Sequence, residues 1–260
     1  MKVGICKLCK KEKELRRSHI IPEFMYENVY DKEPKKFNNI EITLDNSKDT
    51  KVKYEQKGIR EYLLCGDCEV LLSKYEKYAA EIIYAKNKNS KVVALSKIES
   101  NRGISICKLG SISYKDFKIF LFSLLWRIII SKTFNIRGIN DKDKIEETLR
   151  QAILNEDPLE YDKYACFMQI IDKKMDNVMG SFILQPYFSN DINKNQVLNC
   201  LIDGYFFSFY LKSSELQIDE KEIFLKQNGE MIITRRILSP DDKELWEMLK
   251  LIKPQINPYF

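Results

Sequence analysis

Four cysteines in two Cys-x-x-Cys pairs, Cys6/Cys9 and Cys65/Cys68, have the spacing that speaks most directly of chemistry. Each pair sets two sulfurs on one tight turn, and a zinc ion takes four such soft ligands in a tetrahedron. Two turns far apart in sequence close one site and staple the chain between them. The gap is longer than in a compact zinc ribbon, and the polar stretch 23–57, read as an insertion, accounts for it. A closed four-cysteine site keeps no open coordination position, so zinc here is structural. Cys107, Cys166 and Cys200 lie in apolar surroundings and read as small buried hydrophobes. Seven cysteines, an odd number, fit metal-bound thiolates in a reducing compartment better than a disulfide framework.

His19 is the sole histidine. It stands between the two pairs, in Arg16-Arg17-Ser18-His19-Ile20-Ile21-Pro22, at the end of a strand-like run. Alone, such a residue reads as an exposed or satisfied imidazole. Placed inside a stapled hairpin after two arginines, a neutral imidazole is suited to take a proton from water. Residues 7–17 carry six basic and two acidic side chains. Lys10, Lys11, Lys13, Arg16 and Arg17 therefore form a candidate phosphate-binding edge. The competing reading is an ordinary solvated face.

The order Cys-x-x-Cys, a strand with His-Ile-Ile-Pro, then Cys-x-x-Cys opening a helix resembles the zinc-containing branch of the HNH endonucleases, the ββα-metal or His-Me finger superfamily, as in endonuclease VII-type domains. The resemblance covers about residues 4–85. It implies that His19 is the general base. Ser18 holds the place where many members carry a metal-binding Asp, and Glu69 the place of a metal-binding Asn or His. The resemblance thus makes Ser18 and Glu69 the ligands of a catalytic Mg2+ or Mn2+ ion. Asn38 or Asn39 would supply the middle Asn. The implied reaction is divalent-metal-dependent hydrolysis of a phosphodiester, leaving 5′-phosphate and 3′-hydroxyl ends. Double-stranded DNA is favoured over RNA by family habit, as is a role in restriction or anti-phage defence.

The elements around these residues read as α+β. Residues 17–21 and 60–64 are short extended runs, with one strand near residues 40–44. A helix starts at or just after residues 65–68, where Leu71, Leu72, Tyr75, Tyr78, Ala79, Ile82 and Ile83 recur at helical spacing, and ends near residues 86–89. Further helices are expected over 114–134, 141–154 and 242–252. Strands are expected over 165–171, 181–186, 204–211, 223–225 and 231–237. The chain divides into a zinc-stapled HNH-like domain, 1–88, and an α+β region with helices and an antiparallel sheet, 89–260. Glu76 reads as a surface carboxylate paired with Lys74 or Lys77. Tyr75, Tyr78, Trp126 and the aromatic run 206–210 read as core, and Arg127 as paired with a buried carboxylate or set at a seam.

The bulk numbers bound this reading. The 260 residues, 44% hydrophobic and 31% charged, describe a globular chain, and a net charge of +5 is compatible with a polyanion. The most apolar stretch, 119–130, is short for a bilayer and holds Arg127, so the expectation is a cytoplasmic protein without a membrane partner. Residues 89–260 leave room for a homodimer or partner-protein contact. Two other classes stand beside the nuclease: a non-catalytic zinc module that binds nucleic acid or protein, and a nuclease subunit that needs a partner.

Overall fold

The computed structural model describes residues 2–26, 40–43, 51–54, 58–84, 92–99, 104–172, 183, 186–191, 195–212 and 216–237. The chain opens on a hairpin of β1 (Lys2–Ile5) and β2 (Glu12–His19), and the first cysteine pair forms its turn. The Cys6 amide donates to Lys11 O and the Lys10 amide to Cys6 O, each at 2.9 Å. Lys10 takes φ +60° to close that turn. The expected short run 17–21 is therefore the end of a longer strand. β2 stops at His19, and Ile20 and Ile21 turn fully into the core before a 3-10 turn at Glu23–Tyr26.

β3 (Ile40–Thr43) and β4 (Lys51–Tyr54) form a separate hairpin within the insertion. β5 (Arg60–Cys65) then pairs antiparallel with β2, giving the order β1-β2-β5, and runs straight into α1 (Gly66–Ile83). α1 buries Cys68, Leu72, Tyr75, Ala79 and Ile83, the stripe that its apolar spacing predicts. Its expected end near 86–89 lies outside the described residues.

α2 (Tyr114–Ile130) is buried on nearly its whole circumference, from Phe117 to Ile129. The Ser113 side chain caps it by accepting from the Asp116 amide. α2 packs against both α1 and α3 (Lys142–Leu154). These three helices sit with a seven-stranded sheet of order β6-β7-β12-β8-β11-β10-β9. Its strands are β6 (Val93–Glu99), β7 (Ile104–Gly110), β8 (Cys166–Asp172), β9 (Tyr187–Asn190), β10 (Gln196–Ile202), β11 (Tyr205–Tyr210) and β12 (Met231–Ile237).

The class is α+β, and the sheet corrects the expected antiparallel one. It is mixed, because β12 inserts between β7 and β8 and runs parallel to β8, with Ile233 opposite Met168. Residues 223–225 form no strand but the end of a 3-10 turn, Glu220–Ile223, and the chain leading from it. Of the strand expected over 181–186, Ile183 makes one bridge to Ile202. The helix expected over 242–252 lies outside the described residues. One buried cluster runs from Cys6 and Leu8 through α1 and α2 to Met231, so the described N-terminal elements and the sheet share a core. Among the described residues, no helix is long and apolar enough to cross a membrane.

Candidate functional site

The hairpin turn and the start of α1 bring Cys6, Cys9, Cys65 and Cys68 together, with all four Sγ atoms within 4.8 Å of one another. A zinc tetrahedron with 2.3 Å bonds has sulfur–sulfur edges of about 3.8 Å. The Cys9–Cys65 separation of 3.9 Å meets that edge, so the four thiols fit a tetrahedral ion closely. The Cys65 amide points at Cys6 Sγ, 3.4 Å away, as a donor to a thiolate would. Cys65 is the N-cap of α1 and Cys68 lies in its first turn, where unpaired amides and the helix dipole favour negative sulfur. Burial, and then the Cys65 and Cys6 thiols, push the Cys68 thiol far up. A divalent cation among the sulfurs reverses that balance. The four cysteines are therefore a cluster that can bind a metal such as zinc.

The strand pair that holds His19 is irregular, with Leu63 of β5 as the extra, unpaired residue. The β2–β5 register shifts between Arg16 and Arg17, so that Arg16 faces Leu64 while Arg17 faces Tyr62. A bulge of this kind resets which side chains face the core. Leu15 is buried, Arg16 and Arg17 are both exposed, and Ser18 is buried again. Beyond the bulge, alternation turns Ser18 inward toward α1 and His19 to the outer face with Arg17. The Ser18 hydroxyl accepts from the Leu64 amide at 3.1 Å and lies close enough to Glu69 to favour its ionised carboxylate. Glu69 Oε1 is buried without a hydrogen-bond partner. Burial raises the Glu69 carboxyl above its ordinary range, against the Ser18 hydroxyl and the Arg127 guanidinium.

His19 lies opposite Arg60 across the strand pair, and Arg60 Nε donates to His19 Nε2 at 2.8 Å. That bond requires a neutral imidazole with its proton on Nδ1. Burial, and then the Arg60 charge, lower the His19 pKa. Arg60 also reaches Glu23 at 3.4 Å, and the His19 ring stands 6.2 Å from that of Tyr26. Ser18 and Glu69 are neighbours on one face of β2, while the His19 side chain leaves from the other face rather than meeting them directly. Arg127 and Glu76 act on both His19 and Glu69, so the two remain one electrostatic neighbourhood.

Arg127 is the residue that the sequence left unplaced. Its guanidinium is 2% exposed and pairs with Glu76 at 2.8 Å. It also donates to His19 O at 3.0 Å, and to Ser123 O and Oγ. Glu76 therefore faces inward to Arg127 rather than outward to Lys74 or Lys77. An arginine amid apolar helix neighbours was a visible signal of a buried ion pair; its partner was not. Arg150 on α3 does the same for the metal cluster, donating to Leu8 O within the first cysteine turn at 2.5 Å while pairing with Glu147. Arg60 carries no signal in the sequence, because only the register of β2 against β5 sets it beside His19. Glu61, beside Ser18 in that register, takes Ser131 Oγ and the Lys132 and Thr133 amides at the end of α2. Burial opposes its ionisation, but these bonds prevail and hold its carboxyl below the usual range.

The basic edge divides in two. Lys13 pairs with Asp67 at 2.5 Å, and Arg16 reaches Glu14 at 3.6 Å. Lys10, Lys11 and Arg17 are exposed and make no ion pair among the described residues. Asn38 and Asn39 lie outside the described residues. Tyr75 and Trp126 are fully buried, and the Tyr78 hydroxyl accepts from the Ser113 amide, so all three serve packing. Compared with models of protein families, with curated proteins and with solved structures, the chain shows no match.

Proposed function

We propose that this chain is a zinc-stapled HNH-type endonuclease that hydrolyses nucleic-acid phosphodiesters, DNA before RNA, with a second, divalent ion at Glu69. The observation that carries the reading is the buried Oε1 of Glu69, unpartnered among the described residues, on a carboxylate close to Ser18 in the first turn of a helix that follows a cysteine-stapled hairpin ending in His19. An acceptor oxygen withdrawn from water without a donor is costly, and a hard cation is one partner that relieves it. One carboxylate and one hydroxyl make a sparse ligand set, and Mg2+ commonly keeps several waters on such a set. When bound, the ion supplies charge that neutralises the phosphoryl transition state and polarises the leaving oxygen.

The chain's own residues do the rest. His19, neutral at working pH, takes the proton of the attacking water, which requires Arg60 to release Nε2 and the ring to turn from the outer face of β2 toward Glu69. Lys10, Lys11 and Arg17, exposed and without an ion pair among the described residues, hold phosphates, arginine with a planar fork and lysine as a point charge. Incubation with plasmid DNA and Mg2+ or Mn2+ tests the reading. It expects cuts with 5′-phosphate ends that disappear without the divalent ion and in Glu69→Ala. Cutting that is indifferent to Glu69 removes the metal assignment.

The donation of Arg60 to His19 Nε2 favours a second reading, a zinc module that binds nucleic acid without cutting it. Binding of DNA by purified protein that cuts under no divalent ion decides for this one.

A further inference from the structure

The outer face of the β1-β2-β5 sheet sets Arg17 beside an exposed ring and a lysine that the proposed chemistry does not use. Tyr62 is 44% exposed in the middle of β5. Lys2 Nζ stands 4.9 Å from its centroid, and Arg17, its cross-strand partner, is exposed and unpaired. Cross-strand partners share a face, and residues two apart along a strand share it too. Arg17 and Tyr62 therefore lie on the face that also carries His19 and Arg60, one side-chain step along the strands. The patch is a π surface flanked by cations, which suits bases and phosphates together better than the closed edge of a duplex.

We infer that this face seats an unpaired nucleotide, with its base stacked on Tyr62 and the flanking phosphates on Arg17 and Lys2. Strand ends, single-stranded stretches or extruded bases are then the substrate feature delivered toward His19. The inference rests on the nucleic-acid reading above but not on cutting. Each base has a π face, so the platform is tolerant of sequence, and the charge complementarity is to the phosphate chain.

The test is equilibrium binding by the full-length zinc protein, without added divalent ions. The probes are a labelled oligothymidine, an RNA of the same length, an abasic strand of equal charge, and a duplex. Wild type is expected to bind the base-bearing single strands more tightly than the duplex or the abasic strand. Tyr62→Ala is expected to lose about 5- to 150-fold on the single strands, the stacking contribution of one base. Tyr62→Trp is expected to keep wild-type affinity, which separates stacking from a damaged fold. The ratio of the DNA to the RNA affinity identifies which strand the platform takes. Equal affinity for abasic and base-bearing strands, or no effect of Tyr62→Ala, overturns the inference. Binding lost in Tyr62→Ala while no divalent ion supports cutting upholds the platform and sinks the nuclease.

Discussion

Arg127→Met removes the guanidinium that ties α2 to the end of β2, and its cost can be worked from the contacts. The side chain is 2% exposed and its partner Glu76 is 22% exposed. Methionine fills most of the volume, so the loss is electrostatic rather than a cavity. Left behind are a largely buried Glu76 carboxylate and the His19 carbonyl without its donor. Breaking a buried pair from one side costs about 3–5 kcal/mol. Water reaching Glu76 through its exposed fifth reduces that, and about 3 kcal/mol is expected. For a chain of this size the melting temperature should fall by about 6–12 °C. Removing both charges in Arg127→Met/Glu76→Leu should recover at least half of the loss, because an apolar pair substitutes for a buried ion pair at little net cost. Urea unfolding of the zinc-loaded protein, with the slope unchanged across variants, measures both numbers. A single-variant loss below about 1 kcal/mol, or a double variant no better than the single, refutes the argument that this pair is buried and mutually dependent.

Three other outcomes are expected. Elemental analysis of protein purified without added metal should find one zinc per chain, lost in Cys9→Ser/Cys65→Ser; metal content unchanged in that variant would remove the four-cysteine site. Lys118 is 2% exposed, and burial lowers its pKa to about 7, although its ammonium donates to Tyr161 O. Its folded pKa lies below the unfolded value, so the unfolded chain binds the extra proton between about pH 7 and 10 and stability from this group rises with pH there, by up to about 1.4 kcal/mol per unit. Lys118→Met should flatten that slope relative to wild type, and identical slopes would show that Lys118 stays charged in the fold. A Cβ at Gly58 would stand 2.5 Å from the Tyr26 ring. Tyr26 accepts the Ile59 amide and flanks His19, so Gly58→Ala should cost about 1–3 kcal/mol of overpacking, against near-neutrality if the ring simply moves aside.

The cysteine site was legible because two short spacings encode two turns, and the fold closes them on each other as the chemistry of zinc requires. α1, α2 and α3 were legible from their apolar spacing, although α2 stops at Ile130 rather than residue 134, where Ser131 leaves the helix to meet Glu61. β1, β4, β6, β7, β9 and β10 were not read. β10, Gln196–Ile202, is buried at nearly every position, so it has no polar alternation to mark it. β6 is exposed at every position and lacks a core-facing stripe. The parallel pairing of β12 with β8 depends on contacts far apart in sequence, to which local pattern is blind. At the site, Ser18, His19 and Glu69 were visible as residue types. The bulge at Leu63 decides which β5 residues lie opposite Ser18 and His19, and one register step is invisible in a single sequence.

Comparing wild type with His19→Ala in cleavage of plasmid and single-stranded DNA, at saturating Mn2+ or Mg2+ and equal zinc content, tests the central claim most directly. The account predicts metal-dependent cutting by wild type and a fall of about 10²–10⁴-fold in the variant, the usual contribution of a general base. Equal rates for the two proteins, or no cutting by wild type with either ion, would contradict it.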